Sequence, residues 1–187
     1  MIIRQIIEKN VRLMALCCIL FLLSIPPGFA LFEQTQDILM PVIDELKSQV
    51  LKESEIETAC GIFMNNYKIC ALLLFLGTMV VPVFFVMLVN GFMVGFVMKY
   101  VLVKEHTIAF FIKGVLLHSL FELPAIFLSG AIGMRIGLSF ITSDNGKRVR
   151  DVSQSIKEAL IVHVFVVIPM LAVAALIETF VSAALIS

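Results

Sequence analysis

The stretch ICALLLFLGTMVVPVFFVMLVNGFMVGFVM, Ile69–Met98, runs for thirty residues without an Asp, Glu, Lys, Arg or His. A helix crosses a bilayer with roughly 20 mostly apolar residues. At about 1.5 Å per residue this one would be about 45 Å long, against a hydrocarbon core of about 30 Å. It is too apolar for water and too long for one upright crossing. The whole composition agrees. Of 187 residues 60% are hydrophobic and 15% charged, and the mean hydropathy is +1.06; an ordinary soluble domain carries about 25% charged residues. Fourteen basic residues cancel fourteen acidic ones. These values exclude a soluble globular domain, a disordered chain and an electrostatic nucleic-acid binder. Four cysteines and six prolines exclude a disulfide framework and a Pro-rich segment. The expected fold class is all-α: a polytopic transmembrane helical bundle, a single membrane domain with the lipid bilayer around it.

Three more stretches qualify as membrane segments. Leu13–Leu31 is uncharged and ends at Pro26-Pro27-Gly28. Ile108–Ile141 is interrupted by Lys113, His118, Glu122 and Arg135, and Ala159–Ser187 carries His163 and Glu178. Arg4, Lys9 and Arg12 before the first stretch, with Gly28-Phe29-Ala30 after it, imitate a signal peptide. Nineteen apolar residues exceed the usual core of such a peptide, so a retained first helix is expected.

Loop charge gives an expected orientation. Residues 1–12 hold three basic groups against one acidic, and 142–158 contain Lys147, Arg148, Arg150 and Lys157. Residues 32–60 hold Glu33, Asp37, Asp44, Glu45, Glu53, Glu55 and Glu57 against Lys47 and Lys52. Positive charge stays on the cytoplasmic side. The expectation is a multi-pass plasma-membrane protein with a cytoplasmic N-terminus, an outer acidic segment and an inner 142–158 loop. Residues 99–106, net positive, are also expected inside. An odd number of crossings must then precede residue 142, so one of the two long stretches crosses twice or is re-entrant. Pro124 divides Ile108–Ile141 into two arms, and Asn90-Gly91 is an alternative turn. We expect the break near Pro124, about five membrane segments and an outer C-terminus. The chain divides into 1–31 (N-terminal region and first helix), 32–66 (outer acidic segment) and 67–187 (polar-motif core). In the acidic segment Pro41 suits the first turn of a helix, and Val42, Ile43, Leu46 and Val50 recur at helical spacing. That helix is a solvated connector, or it lies on the membrane surface or docks an envelope protein partner.

Polar side chains at membrane depth need a partner or a function. His118 and Glu122 are four apart, on one helical face, with Gly114 one turn before them. Ser129, Gly133 and Gly137 continue that face, and Gly91 and Gly95 form another small-residue pair, which suits close helix packing and self-association as a homo-oligomer. Pro124 frees the Leu120 carbonyl beside the imidazole and carboxylate. Asn65 and Asn66 stand at the outer mouth of the second segment, Asn90 near its inner end, and Glu178 late in the last. Glu122 and Glu178 are expected to share an outward-leaning polar site with Asn65 and Asn66. Arg135 is expected to snorkel toward the basic inner loop. His106 and His163 look incidental.

Such acid and imidazole groups suit proton or cation handling; the plainer reading is interhelical hydrogen-bonded glue. His118, Glu122 and Glu178 could also ligate zinc or iron, although the His-Glu-x-x-His pattern is absent. The buried cysteines read as apolar fillers. No phosphate-binding glycine loop, nucleophile elbow or Cys-x-x-Cys occurs. No enzyme activity, cofactor or resident metal is expected. The leading reading is a protein that binds or conducts a small ion or solute. A membrane scaffold is second, and a metal-dependent intramembrane enzyme third.

Phe63-Met-Asn65-Asn66, Gly77, and Asn90-Gly91-x-x-x-Gly95 resemble the stage II sporulation protein M family. So does His118-Ser-Leu-Phe-Glu122-Leu-Pro-Ala-Ile-Phe-Leu-Ser-Gly130-Ala-Ile-Gly133, with Ser119 where the family commonly has glycine. Ile177-Glu178 also fits, and the resemblance runs from about residue 63 to 180. It implies a membrane protein of the kind that, in sporulating bacteria, works in engulfment with cell-wall-degrading partners; many members come from organisms that do not sporulate. It implies no substrate or catalytic activity. It groups Asn65, Asn66, Asn90, Gly91, His118, Glu122 and Glu178 as one constellation.

Overall fold

The computed structural model describes residues 2–105, 107–113, 117–144 and 146–182, and these residues form no strand. Gly114 and His106 lie outside the described residues. In chain order the helices are α1 (Ile2–Ala30), α2 (Phe32–Val50), α3 (Glu55–Leu76), α4 (Val81–Glu105), α5 (Ile108–Phe111), α6 (Leu117–Thr142), α7 (Arg148–Val162) and α8 (Ile168–Leu176). A 3-10 turn, Gly77–Met79, follows α3. π-helical turns at His163–Val167 and Ile177–Ser182 carry α7 into α8 and beyond it. Five units are long and apolar enough to cross a membrane: Ile2–Ala30, Glu55–Met79, Val81–Lys104, Leu117–Thr142 and Arg148–Val181. The chain is a multi-pass helical bundle.

Five membrane-length helices were expected, but the additional turn lies elsewhere. α6 runs unbroken through Pro124, and α4 runs unbroken through Asn90-Gly91. The chain instead reverses between Gly77 and Val80, inside the thirty-residue apolar stretch. Pro82 explains this. It has no N–H to continue a helix from α3, and it disfavours helical geometry at the residue before it. Gly77 closes α3 while Pro82 sits in the first turn of α4, the arrangement that favours a helix stop followed by a start. Val80, at φ 63° and ψ −60°, adopts a strained backbone for a β-branched residue. Its N–H donates to the Gly77 carbonyl at 2.9 Å, and Thr78 Oγ1 donates to the Phe75 carbonyl at 2.8 Å. Other prolines are absorbed: Pro26 and Pro27 lie within α1, and Pro41 is in the middle of α2 rather than in its first turn.

Two seams of small residues hold the bundle. α4 lies parallel to α1, with Gly91 on the Phe21 carbonyl, Gly95 on that of Ile25 and Gly28 against Phe92. α6 lies parallel to α3, with Gly133 on the Leu73 carbonyl, Gly137 on that of Thr78 and Ser129 beside Cys70. A Cβ on any of these glycines would overlap the neighbouring backbone. Both small-residue faces are therefore filled within one chain. α6 is the central helix, with Ala125, Ile126, Leu128–Gly137 (except Arg135) buried. Large apolar side chains such as Phe75, Phe85 and Phe165 point outward, as a surrounding bilayer requires.

The parallel seam corrects one placement. Residues 99–105 lie at the α2 end of the bundle, not at the N-terminal end. Phe32 packs on Phe96 with ring centroids 4.8 Å apart, Lys99 sits 5.1 Å from the Phe29 ring, and Lys47 sits 5.8 Å from Tyr100. The helix of the second crossing also begins early, at Glu55, so Asn65 and Asn66 lie about three turns down α3 rather than at its mouth. At the N-terminal end Lys9 pairs with Glu158 at 2.8 Å, and Arg135 donates to the Lys9 carbonyl at 2.9 Å.

Candidate functional site

The first two turns of α6 place His118 and Glu122 one above the other, because a four-residue step returns to the same helix face. The π-helical turn Ile177–Ser182 brings Glu178 to them from the last membrane segment. His118 Nε2 lies 3.8 Å from Glu122 Oε2 and 3.7 Å from Glu178 Oε2. These distances exceed a direct hydrogen bond. The His118 side chain is 10% exposed, that of Glu122 19% and that of Glu178 35%. α3 adds buried Asn66, whose side-chain amide stands beside the Glu122 carboxylate. Asn65 reaches Asn66 Oδ1 at 3.4 Å, at the limit of a hydrogen bond.

The structure thus brings together His118, Glu122, Glu178 and Asn66, with Asn65 at the edge. It leaves Asn90 and Gly91 elsewhere. Asn90 Nδ2 donates to the Val86 carbonyl of its own helix at 2.8 Å, and Gly91 lies in the α1–α4 seam. Gly95, Ser129, Gly133 and Gly137 are packing residues by position. Below the site, Cys70 and Ser129 meet one turn further along α3; spacing marks Cys70 four residues after Asn66. Thr179, beside Glu178, keeps a buried hydroxyl with no hydrogen-bond partner among the described residues. Neither was singled out from sequence, because a threonine or cysteine in a membrane helix is unremarkable.

Two carboxylates in one low-dielectric site repel each other, and positive charge between them removes that repulsion. His118, Glu122 and Glu178 each offer a donor atom, all within 4.8 Å of one another. His118 Nδ1 is buried with no hydrogen-bond partner among the described residues. The clefts on the surface are lined by other residues. One of about 460 Å³ at the N-terminal end is lined by Lys9, Arg135, Asp151 and Glu158, and another of about 330 Å³ is apolar and runs beside Cys60 and Phe180.

The family model described as stage II sporulation protein M matches residues 17–183, most of the chain. No curated protein and no solved structure matches the chain.

Proposed function

We propose that this chain, which belongs to the stage II sporulation protein M family, is a non-enzymatic membrane protein that binds a small cation within the bilayer and passes it across. One observation carries the reading: His118, Glu122 and Glu178 converge from two membrane segments onto Asn66 of a third. Charged and polar groups at this depth are costly unless they pair or handle ions. The reading places the protein in the plasma membrane with its N-terminal end cytoplasmic, because Arg4, Lys9, Arg12, Lys147, Arg148 and Arg150 gather at that end. Self-association, if it occurs, uses lipid-facing surface, since both glycine seams are already filled.

Purified protein in liposomes tests this directly. A gradient of protons or metal ions should dissipate faster with the native chain than with Glu122→Gln or His118→Ala, both still folded and inserted. Equal flux in all three, or none above protein-free liposomes, refutes conduction.

A second reading has its own support. On α2, Ile38, Val42 and Leu46 are exposed beside Asp37, Asp44 and Glu45, a surface that suits an envelope protein partner and a scaffold role. Replacing residues 32–50 by a neutral helix of equal length should abolish complex formation under that reading and leave ion flux intact under the first.

A further inference from the structure

We propose that the cation taken by the His118–Glu122–Glu178 cluster is a divalent transition metal of the zinc class. This inference rests on the reading of the cluster as a cation site and specifies its occupant. Charge argues first. Two glutamates and one divalent ion sum to zero, whereas a monovalent ion leaves an uncompensated charge at membrane depth. Donor chemistry argues second. One imidazole with carboxylates suits zinc or iron, while calcium and magnesium prefer oxygen ligands in larger number.

Geometry is the third argument. Donors about 2.1 Å from a tetrahedral ion stand roughly 3.4 Å apart. The imidazole-to-carboxylate separations are 3.8 and 3.7 Å and all three donors lie within 4.8 Å of one another, so side-chain shifts of about an ångström bring them round a tetrahedral ion. The ligands come from α6 and from the turn after α8, and a π-helical turn adapts more readily than an α-helix. Asn66, beside Glu122, is placed to support that carboxylate as a neighbouring polar group does around a metal. His118 faces both carboxylates with Nε2, and its buried Nδ1, with no hydrogen-bond partner among the described residues, leaves room for an ordered water behind the ligand.

The chain in detergent, with exposed Cys60 replaced by Ser, is equilibrated with Zn²⁺, dialysed and assayed for metal content. About one zinc per chain is expected, with affinity reduced ~10-fold or more by His118→Ala or Glu178→Gln, since even supporting groups around a metal contribute that much. Cobalt gives a signature that folding alone does not. His118→Cys loaded with Co²⁺ should show a thiolate-to-cobalt charge-transfer band that native protein lacks. No retained zinc in the native chain overturns the proposal. So does zinc retained equally by the native chain, His118→Ala and Glu178→Gln. Liposome flux separates this result from the parent reading: proton flux without zinc binding removes only the metal, and zinc binding without flux removes only conduction.

Discussion

Asn10 and Asn66 are both buried amides in membrane helices, yet they are satisfied differently. Asn10 donates to the Ile6 carbonyl of its own helix at 2.7 Å, and its Oδ1 is buried with no partner among the described residues. Asn66 accepts from Asn65 at 3.4 Å and stands beside the Glu122 carboxylate of another helix. Truncation removes the same volume at each position, so the difference isolates what is left behind. Asn66→Ala removes the amide beside the half-buried Glu122 carboxyl, and leaving that polar group without its neighbour is expected to cost about 1–3 kcal/mol. Asn10→Ala removes an unsatisfied acceptor and should cost less, by at least about 1 kcal/mol. Thermal unfolding of the two variants in one detergent checks the order, and equal losses would contradict it. At this scale much of the site was legible. Spacing placed His118 with Glu122, and cost in lipid singled out Glu178. Asn90 joined them only through the family resemblance; its polarity shows that it needs a partner, not that the partner is its own helix backbone four residues back.

Between helices, the two glycine seams decide which elements are neighbours. Gly91 and Gly95 bring α4 onto α1 with backbone in contact, and close approach of this kind is a main source of helix association where lipid removes the hydrophobic drive. Gly95→Ala places a methyl against the Ile25 carbonyl and is expected to destabilise by about 1–3 kcal/mol through overpacking. Gly146→Ala is the matched control, since a Cβ there meets nothing within 4 Å. Unfolding midpoints that fall for Gly95→Ala and stay put for Gly146→Ala support the seam; a silent Gly95→Ala removes it. The glycine spacing was readable, but its partner was not. Small residues suit self-association and packing within one chain equally well. The turn at Gly77–Val80 had its signal in Gly77 and Pro82. Pro124 and Asn90-Gly91 offered competing signals of the same strength. Tertiary packing decides among prolines: α6 is buried from Ala125, directly after Pro124, to Gly137 apart from Phe127 and Arg135, so its neighbours hold the helix through the missing hydrogen bond.

For the molecule as a whole, parallel pairing of α1 with α4 and of α3 with α6 fixes which loops share an end of the bundle. Residues 2–12, 77–80, 142–144 and 146–148 lie at one end; α2 and residues 99–105 lie at the other. The parity expected from loop charge survives, because one additional reversal before residue 142 was needed and Gly77–Val80 supplies it. What changes is the company of Lys99 and Lys104. They stand with the acidic α2 segment, where Lys47, Lys99 and Lys104 lie over the Tyr100 and Phe29 rings. With the proposed orientation, those contacts account for basic residues at the outer end: the cations sit on aromatic faces beside a strongly acidic segment, and the larger basic cluster lies at the other end. Single cysteines in a background lacking Cys17, Cys18, Cys60 and Cys70 test the arrangement. A membrane-impermeant maleimide applied to intact cells should label Lys47→Cys and Lys104→Cys. Met79→Cys and Ser143→Cys should react only after permeabilisation. Labelling of Lys104→Cys together with Ser143→Cys would restore a turn at Pro124 and dissolve the α1–α4 seam. Labelling of all four in the opposite sense would keep the fold and reverse its orientation in the membrane.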